Sequence, residues 1–190
     1  MAKLGYVSDR KKMARIILPI SRYLRGVNAE RYIDPRKRLL DIGCGDGFFL
    51  LRSKCRERYA LEQRTGDEAV NSLSYPDQYF DFVTMLAVLD HIKEPIRLFS
   101  EIHGLLKPRG WLLITISGKQ AEFIIRLCAK NIGEEHKAYY NLTMIKSLAA
   151  GLIIVVRQHA FRFGLNQVFY LEKKKARKEF PGSRSAICRR

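Results

Sequence analysis

Apolar and polar positions along this chain fall into two periods. From Asp9 to about Arg25, the residues Met13, Ile16, Ile17, Ile20, Leu24 and Val27 recur every third or fourth position, with basic side chains between them and Val27 just beyond. That spacing predicts an amphipathic helix whose apolar stripe faces the protein core, with an interfacial helix reaching anionic head groups as the alternative. Asp9 caps it, Pro19 kinks or divides it, and Gly26 with Asn28 marks its stop. Asp34-Pro35 is a turn signal. Beyond it the period alternates. Residues 39–42 form a short apolar run closing on glycines, 48–54 a helix, 59–61 a second strand and 80–86 a third. Residues 96–106 predict a helix with Leu98, Ile102 and Leu105 on one face, and 111–116 a fourth strand. Two further helices are expected at 120–130 and 142–150, the second capped by Gly151, and two closing strands at 152–159 and 167–172. The link through Gly164-Leu165-Asn166 is too short for a parallel crossover, so those two strands pair antiparallel.

Strands alternating with helices predict parallel βαβ units in a doubly wound α/β sheet. No internal repeat is visible, and 190 residues suit one domain with one core. We place the domain at residues 1–172, with 1–30 as a basic N-terminal helix and 173–190 as a basic, mobile tail. A hydrophobic content of 47% with 28% charged residues excludes a disordered or fibrous chain. Residues 16–20 are too short, and too interrupted by Pro19, for a secretory signal, and no apolar run approaches the roughly 20 residues a bilayer crossing needs. The expected location is the cytosol, with peripheral membrane association open to the basic segments. Cys44, Cys55, Cys128 and Cys188 show no CxxC or Cys/His spacing, which argues against disulfides and against a bound metal.

The charge balance adds a constraint that the pattern does not contain. The net charge is +16, gathered at Arg10, Lys11, Lys12, Arg15, Arg22 and Arg25 near the start and at Lys173, Lys174, Lys175, Arg177, Lys178, Arg184, Arg189 and Arg190 near the finish. Such clusters attract RNA phosphates or an anionic membrane surface, or they are simply solvated.

The chemistry concentrates in Leu39-Leu40-Asp41-Ile42-Gly43-Cys44-Gly45-Asp46-Gly47, a strand running into a glycine turn and a helix start. Glycines there let a ligand lie against bare backbone. The spacing differs from the dinucleotide fingerprint, and Asp41 at the strand end would sit badly beside a pyrophosphate. It suits a cationic ligand. Cys44 fills the turn as a small residue, with an active-site thiolate as the alternative. The next strand ends in Glu62, where a carboxylate can accept both hydroxyls of a ribose.

The run LLDIGCGDGFFL resembles motif I of class I S-adenosylmethionine-dependent methyltransferases. SYPDQYFDFVTMLAVLDHI followed by LFSEIHGLLKPRGWLLITI is similar to the methyltransferase type 11 group. The resemblance covers residues 38–116 closely and the remainder more loosely. It implies a seven-stranded sheet of order 3-2-1-4-5-7-6 with its last strand antiparallel, and S-adenosyl-L-methionine as cofactor. Carried over, Asp41, Gly43, Cys44 and Gly45 line the methionine part, Glu62 holds the ribose, and Leu86 offers backbone from the sheet edge. The chain departs from the pattern between Glu62 and Tyr75, where too few residues remain for a full crossover. The region between strands 2 and 4 is therefore shortened, and Asp67 either stands in for the acid near the adenine or, next to Glu68, is an exposed loop charge.

Methyl transfer needs a base only when the acceptor must lose a proton. Candidates are His91 and His136, with Tyr139 and Tyr140 behind them. His91 also suits a helix-start residue bonded to backbone, and Glu134 and Glu135 favour the imidazolium form of His136, which then orients substrate. No Asn/Asp-Pro-Pro-Tyr/Phe run or Pro-Cys nucleophile is present, which disfavours methylation of DNA bases. The expected acceptor is a small molecule, a lipid-linked compound or a glycan. The rivals are an RNA methyltransferase using the basic ends, and a cofactor-binding regulatory module without turnover.

Overall fold

Each central strand carries apolar residues in adjacent pairs, so the pleat sends them to opposite faces and both faces must be covered. The computed structural model describes residues 19–61, 75–117, 140–149, 153–161 and 166–174. They run as helix α1 (residues 19–30), strand β1 (Arg38–Ile42), helix α2 (Phe48–Arg52), β2 (Glu57–Leu61), β3 (Phe80–Leu86), α3 (Pro95–Leu105), β4 (Leu106–Ser117), α4 (Leu142–Ala149), β5 (Ile153–Phe161) and β6 (Asn166–Lys173). Among the described residues the sheet has six strands in the order β2-β1-β3-β4-β6-β5. The first four are parallel, and β6 is antiparallel to both β4 and β5. Residues 62–74, where a further edge strand was expected, lie outside the described set, as do the helix expected at 120–130 and the cap expected at Gly151.

Leu40, Val83, Leu112 and Phe169 bury one face of the sheet with Leu98, Phe99 and Ile102 of α3 and Ile145 of α4. Their strand neighbours Leu39, Phe82, Leu113 and Tyr170 bury the other with Ala29, Ile33, Phe49 and Leu50. At the edge beside β2, Tyr59, Tyr75, Tyr79 and Phe80 meet ring to ring, with the Tyr59 and Tyr79 hydroxyls 3.0 Å apart. These rings cover apolar surface at the edge nearest the short β2–β3 connection.

Three sequence expectations need correction. Gly26 and Asn28 do not stop α1, which continues through residue 30. The Asn28 side chain donates to the Leu24 carbonyl at 2.8 Å, and a Cβ at Gly26 would lie 3.1 Å from the Phe49 ring. Both residues are thus used inside the helix. The apolar stripe of α1, where described, is not its buried face either: Ser21, Gly26 and Ala29 are buried, whereas Ile20 is 45% exposed. Small residues let α1 approach the sheet and α2 closely and turn the larger apolar side chains outward. Finally, Lys173 belongs to β6 and not to the tail. Its buried ammonium donates to the carbonyls of His103 at 2.5 Å and Leu106 at 2.7 Å, closing the C-terminal end of α3.

Candidate functional site

β1 delivers Asp41 to the C-terminal edge of the sheet, on the face covered by α1 and α2. There the chain turns through Gly43 (φ +73°), Gly45 (φ +55°) and Gly47 (φ +72°), backbone shapes that strain any other residue. Gly43 and Gly45 have different neighbours. A Cβ on Gly43 would lie 2.4 Å from a methyl of Val88, so Gly43 lets the loop pack against the segment following β3. A Cβ on Gly45 would meet no atom within 4 Å, because that residue faces an open cavity. The loop is anchored at its start by the Gly43 amide, which donates to the Leu61 carbonyl at 2.7 Å. Asp46 accepts from the Phe48 amide at 3.2 Å and from the Arg22 guanidinium, tying the loop to both α2 and α1.

The cavity holds about 450 Å³ and is lined by Asp41, Gly43, Cys44, Gly45 and Asp46 from the loop, Phe48 and Phe49 from α2, Leu86 and Ala87 from the end of β3, and Arg22 and Arg25 from α1. Five residues singled out in the sequence, Asp41, Gly43, Cys44, Gly45 and Leu86, are thus brought to one place. Asp41 is only 3% exposed and accepts a hydrogen bond from the Thr84 hydroxyl at 2.6 Å. Burial pushes its carboxyl up to about 7, and the Thr84 bond offsets only part of that. Arg25 donates to the Asn166 side chain at 3.0 Å, so its guanidinium is held at the cavity wall. The lining thus carries both signs of charge, with Arg22 engaged by Asp46. Cys44 donates weakly to the Gly45 carbonyl at 3.8 Å, which fits the small-residue reading of that position.

Glu62, Asp67, His136 and Tyr139 lie outside the described residues. His91 is exposed at the end of a short 3-10 turn, Leu89–His91, its amide donating to the Val88 carbonyl, and it does not line the cavity. Tyr140 is half-buried, and burial together with the nearby Asp90 holds its phenol above the usual range. It stays protonated near neutrality and makes a poor base. Sequence reasoning missed Thr84, Ala87, Arg22 and Arg25. Thr84 carried a signal, being a hydroxyl within an otherwise apolar stretch of β3. Ala87 carried none, although its φ of +60° points its amide at the Thr115 carbonyl, 2.9 Å away.

A family model described as a methyltransferase domain matches residues 8–150. Among curated proteins, the bifunctional biotin biosynthesis protein BioHC of Teredinibacter turnerae is 27% identical over 62% of this chain and 26% of its own length. An uncharacterized methyltransferase of Schizosaccharomyces pombe is 25% identical over 43% of this chain and 40% of its own. The chain therefore spans well under half the length of these curated relatives. Among solved structures, a SAM-dependent methyltransferase from Aquifex aeolicus superposes with a TM-score of 0.61 at 17% identity, covering 88% of this chain and 98% of that one. That likeness shows the fold. Among the described residues no helix is long and apolar enough to cross a membrane.

Proposed function

This chain belongs to the methyltransferase domain family, and on that premise we propose that it transfers a methyl group from S-adenosylmethionine to a small-molecule, lipid-linked or glycan acceptor. The observation that carries this reading is the cavity beside Asp41. A buried carboxylate with one hydroxyl partner is an incomplete site, because ionisation in a low-dielectric setting calls for a cation or more donors. An ammonium group supplies that cation. Arg25 at the cavity wall suits a carboxylate, whereas Arg22 is already engaged by Asp46, and the buried Asp41 would sit badly beside a pyrophosphate, so we read the lining as one for an amino-acid zwitterion. The volume is in the range of small-molecule sites.

When bound, the cofactor supplies an activated methyl group, and the chain supplies alignment. Asp41 fixes one end of the ligand, with Thr84 locking its rotamer, while Phe48 and Phe49 exclude water from one wall. Gly45 leaves room for the ligand against the backbone. Glu62, following β2, is the residue we assign to the ribose hydroxyls, and Asp67 the one we assign near the adenine. His91 does not line the cavity, so a role as base would need an acceptor that bridges to it. His136 remains the candidate for orienting the acceptor.

Calorimetric titration with S-adenosylmethionine and with its demethylated product tests the cofactor assignment. Both should bind at one site in the wild type and neither in Gly45→Val. Equal affinity in the mutant would remove the loop from the site. The acceptor is found by incubating the enzyme with extract and labelled cofactor and following where label appears; label in RNA alone would favour the reading built on the net charge of +16.

A further inference from the structure

Helix α1 has two working faces. Toward the protein, Arg22 and Arg25 line the cavity at Asp41, and Ser21 and Ala29 are buried. On the outside, Ile20, Tyr23 and Val27 follow one another at helical spacing and are each 44–45% exposed. Exposed apolar side chains are common singly, but three on one helix face form a stripe.

Next to the stripe runs a groove of about 550 Å³ between α1 and α2, which shares Tyr23 and Val27 with it and adds Arg31, Arg52 and Lys54. Arg52 stacks on the Tyr23 ring at 5.0 Å and the Phe48 ring at 5.7 Å. Among the described residues no carboxylate forms an ion pair with Arg31, Arg52 or Lys54. Glu30, the acid in the groove, is already accepting from the Ser53 hydroxyl at 3.0 Å and from the Lys54 amide. An apolar stripe bordered by cations in a groove is the arrangement of a helix that lies in a lipid head-group layer. A nucleic-acid backbone would use the cations but has nothing to offer Ile20 and Val27.

We propose that the outward face of α1 docks on an anionic phospholipid surface, with Ile20, Tyr23 and Val27 entering the acyl boundary and Arg31, Arg52 and Lys54 receiving head-group phosphates. The orientation places the cofactor cavity on the opposite side of the same helix. The proposal stands apart from the methyl-transfer reading, because it uses no residue lining the Asp41 cavity.

The test is sedimentation of the full-length protein with vesicles of phosphatidylcholine alone and of phosphatidylcholine mixed with phosphatidylglycerol, at low and high salt. The wild type should pellet with the mixed vesicles alone and be released by salt. Ile20→Glu/Val27→Glu should weaken partitioning by tenfold or more, an order-of-magnitude expectation for charges placed in an interfacial stripe, and Arg52→Ala by about fivefold, the usual worth of one basic residue at such a surface. Thermal melts and calorimetry with the demethylated cofactor should show all variants folded and equally competent at the Asp41 cavity. Vesicle binding that survives in Ile20→Glu/Val27→Glu would assign it to the basic termini and overturn the proposal. So would a wild type that ignores vesicles but binds homopolymer RNA through Arg52, or one that dimerises through the stripe without vesicles. Loss of cofactor binding in the wild type would sink the methyltransferase reading and leave the vesicle result standing.

Discussion

Lowering pH should weaken cofactor binding through Asp41, and the size of the effect follows from its surroundings. Desolvation holds this carboxyl at about 7, from an ordinary 3.8. Without ligand it is about half ionised at neutrality. A cationic ligand binds the carboxylate form, so apparent affinity should rise with pH through about 7 and then level off. For one titrating group of that pKa, the dissociation constant at about pH 6 should exceed that at about pH 8 by roughly tenfold. Calorimetry in buffers of different ionisation enthalpy should show proton release on binding below neutrality and none well above it. Thr84→Val removes the one bond that favours the charged form and should move the midpoint higher. Asp41→Asn should bind weakly at every pH with a flat profile. The same shift acts on the free protein. A folded-state pKa above the unfolded value means that stability is fully present below about 3.8 and is lost as pH rises toward 7. The displacement is worth about 4 kcal/mol at most. Ligand-free Asp41→Asn should therefore melt higher than wild type at about pH 8 and lose that advantage near pH 4. A pH-independent affinity without proton release would refute both the buried state of Asp41 and its contact with the cation.

Two glycine substitutions should separate packing from binding. Gly43→Ala, whose methyl would meet Val88, should cost about 2–4 kcal/mol of stability by thermal denaturation, whereas Gly45→Ala should cost about 1 and lose cofactor affinity instead; similar melting losses in both would contradict the packing. Lys173→Met should destabilise by about 2 kcal/mol, because it strands two carbonyls that the ammonium now satisfies, and a change within error would show that water replaces it. Glu62→Ala should weaken cofactor binding by about 1.5–3 kcal/mol, the cost of losing hydrogen bonds to a charged acceptor, and an unchanged titration would return the ribose to another residue.

Strand β3 was legible to the residue because Asp81 and Thr84 are the polar members of an apolar run flanked by turn residues. The helix at Pro95–Leu105 was legible within one residue at each end for the same reason, its buried face being Leu98, Ile102 and Leu105. Misreadings arose where a tertiary partner reverses a local signal. Gly26 is a stop by propensity, but here it allows Phe49 to approach. Ile20 belongs on a core face by periodicity, but the smaller Ser21 and Ala29 occupy that face. Lys173 is a tail residue by charge, and only the carbonyls left open at the end of α3 explain its burial. In the site, residues adjacent in sequence to the glycines could be found from spacing. Arg22, Arg25 and Ala87 arrive from other elements, and no local pattern marks them.

The hydrogen bonds joining α1 to β6 set an order on events in a growing chain. Tyr170 donates to the Asn28 carbonyl at 2.7 Å, and Arg25 reaches Asn166 at 3.0 Å across almost the whole described length. A ribosome releases α1 long before it releases its partner. Until β6 slots between β4 and β5, the hydrogen-bonding edge of β4 is open and α1 lacks the surface on which its small-residue face rests. Contacts of such sequence separation form late and slowly. The cavity at Asp41, walled by that helix, is thus completed only when synthesis has passed β6. Nascent chains halted before Asn166 should not retain cofactor, and ligand capture by ribosome-bound intermediates of increasing length would date the closing of the wall.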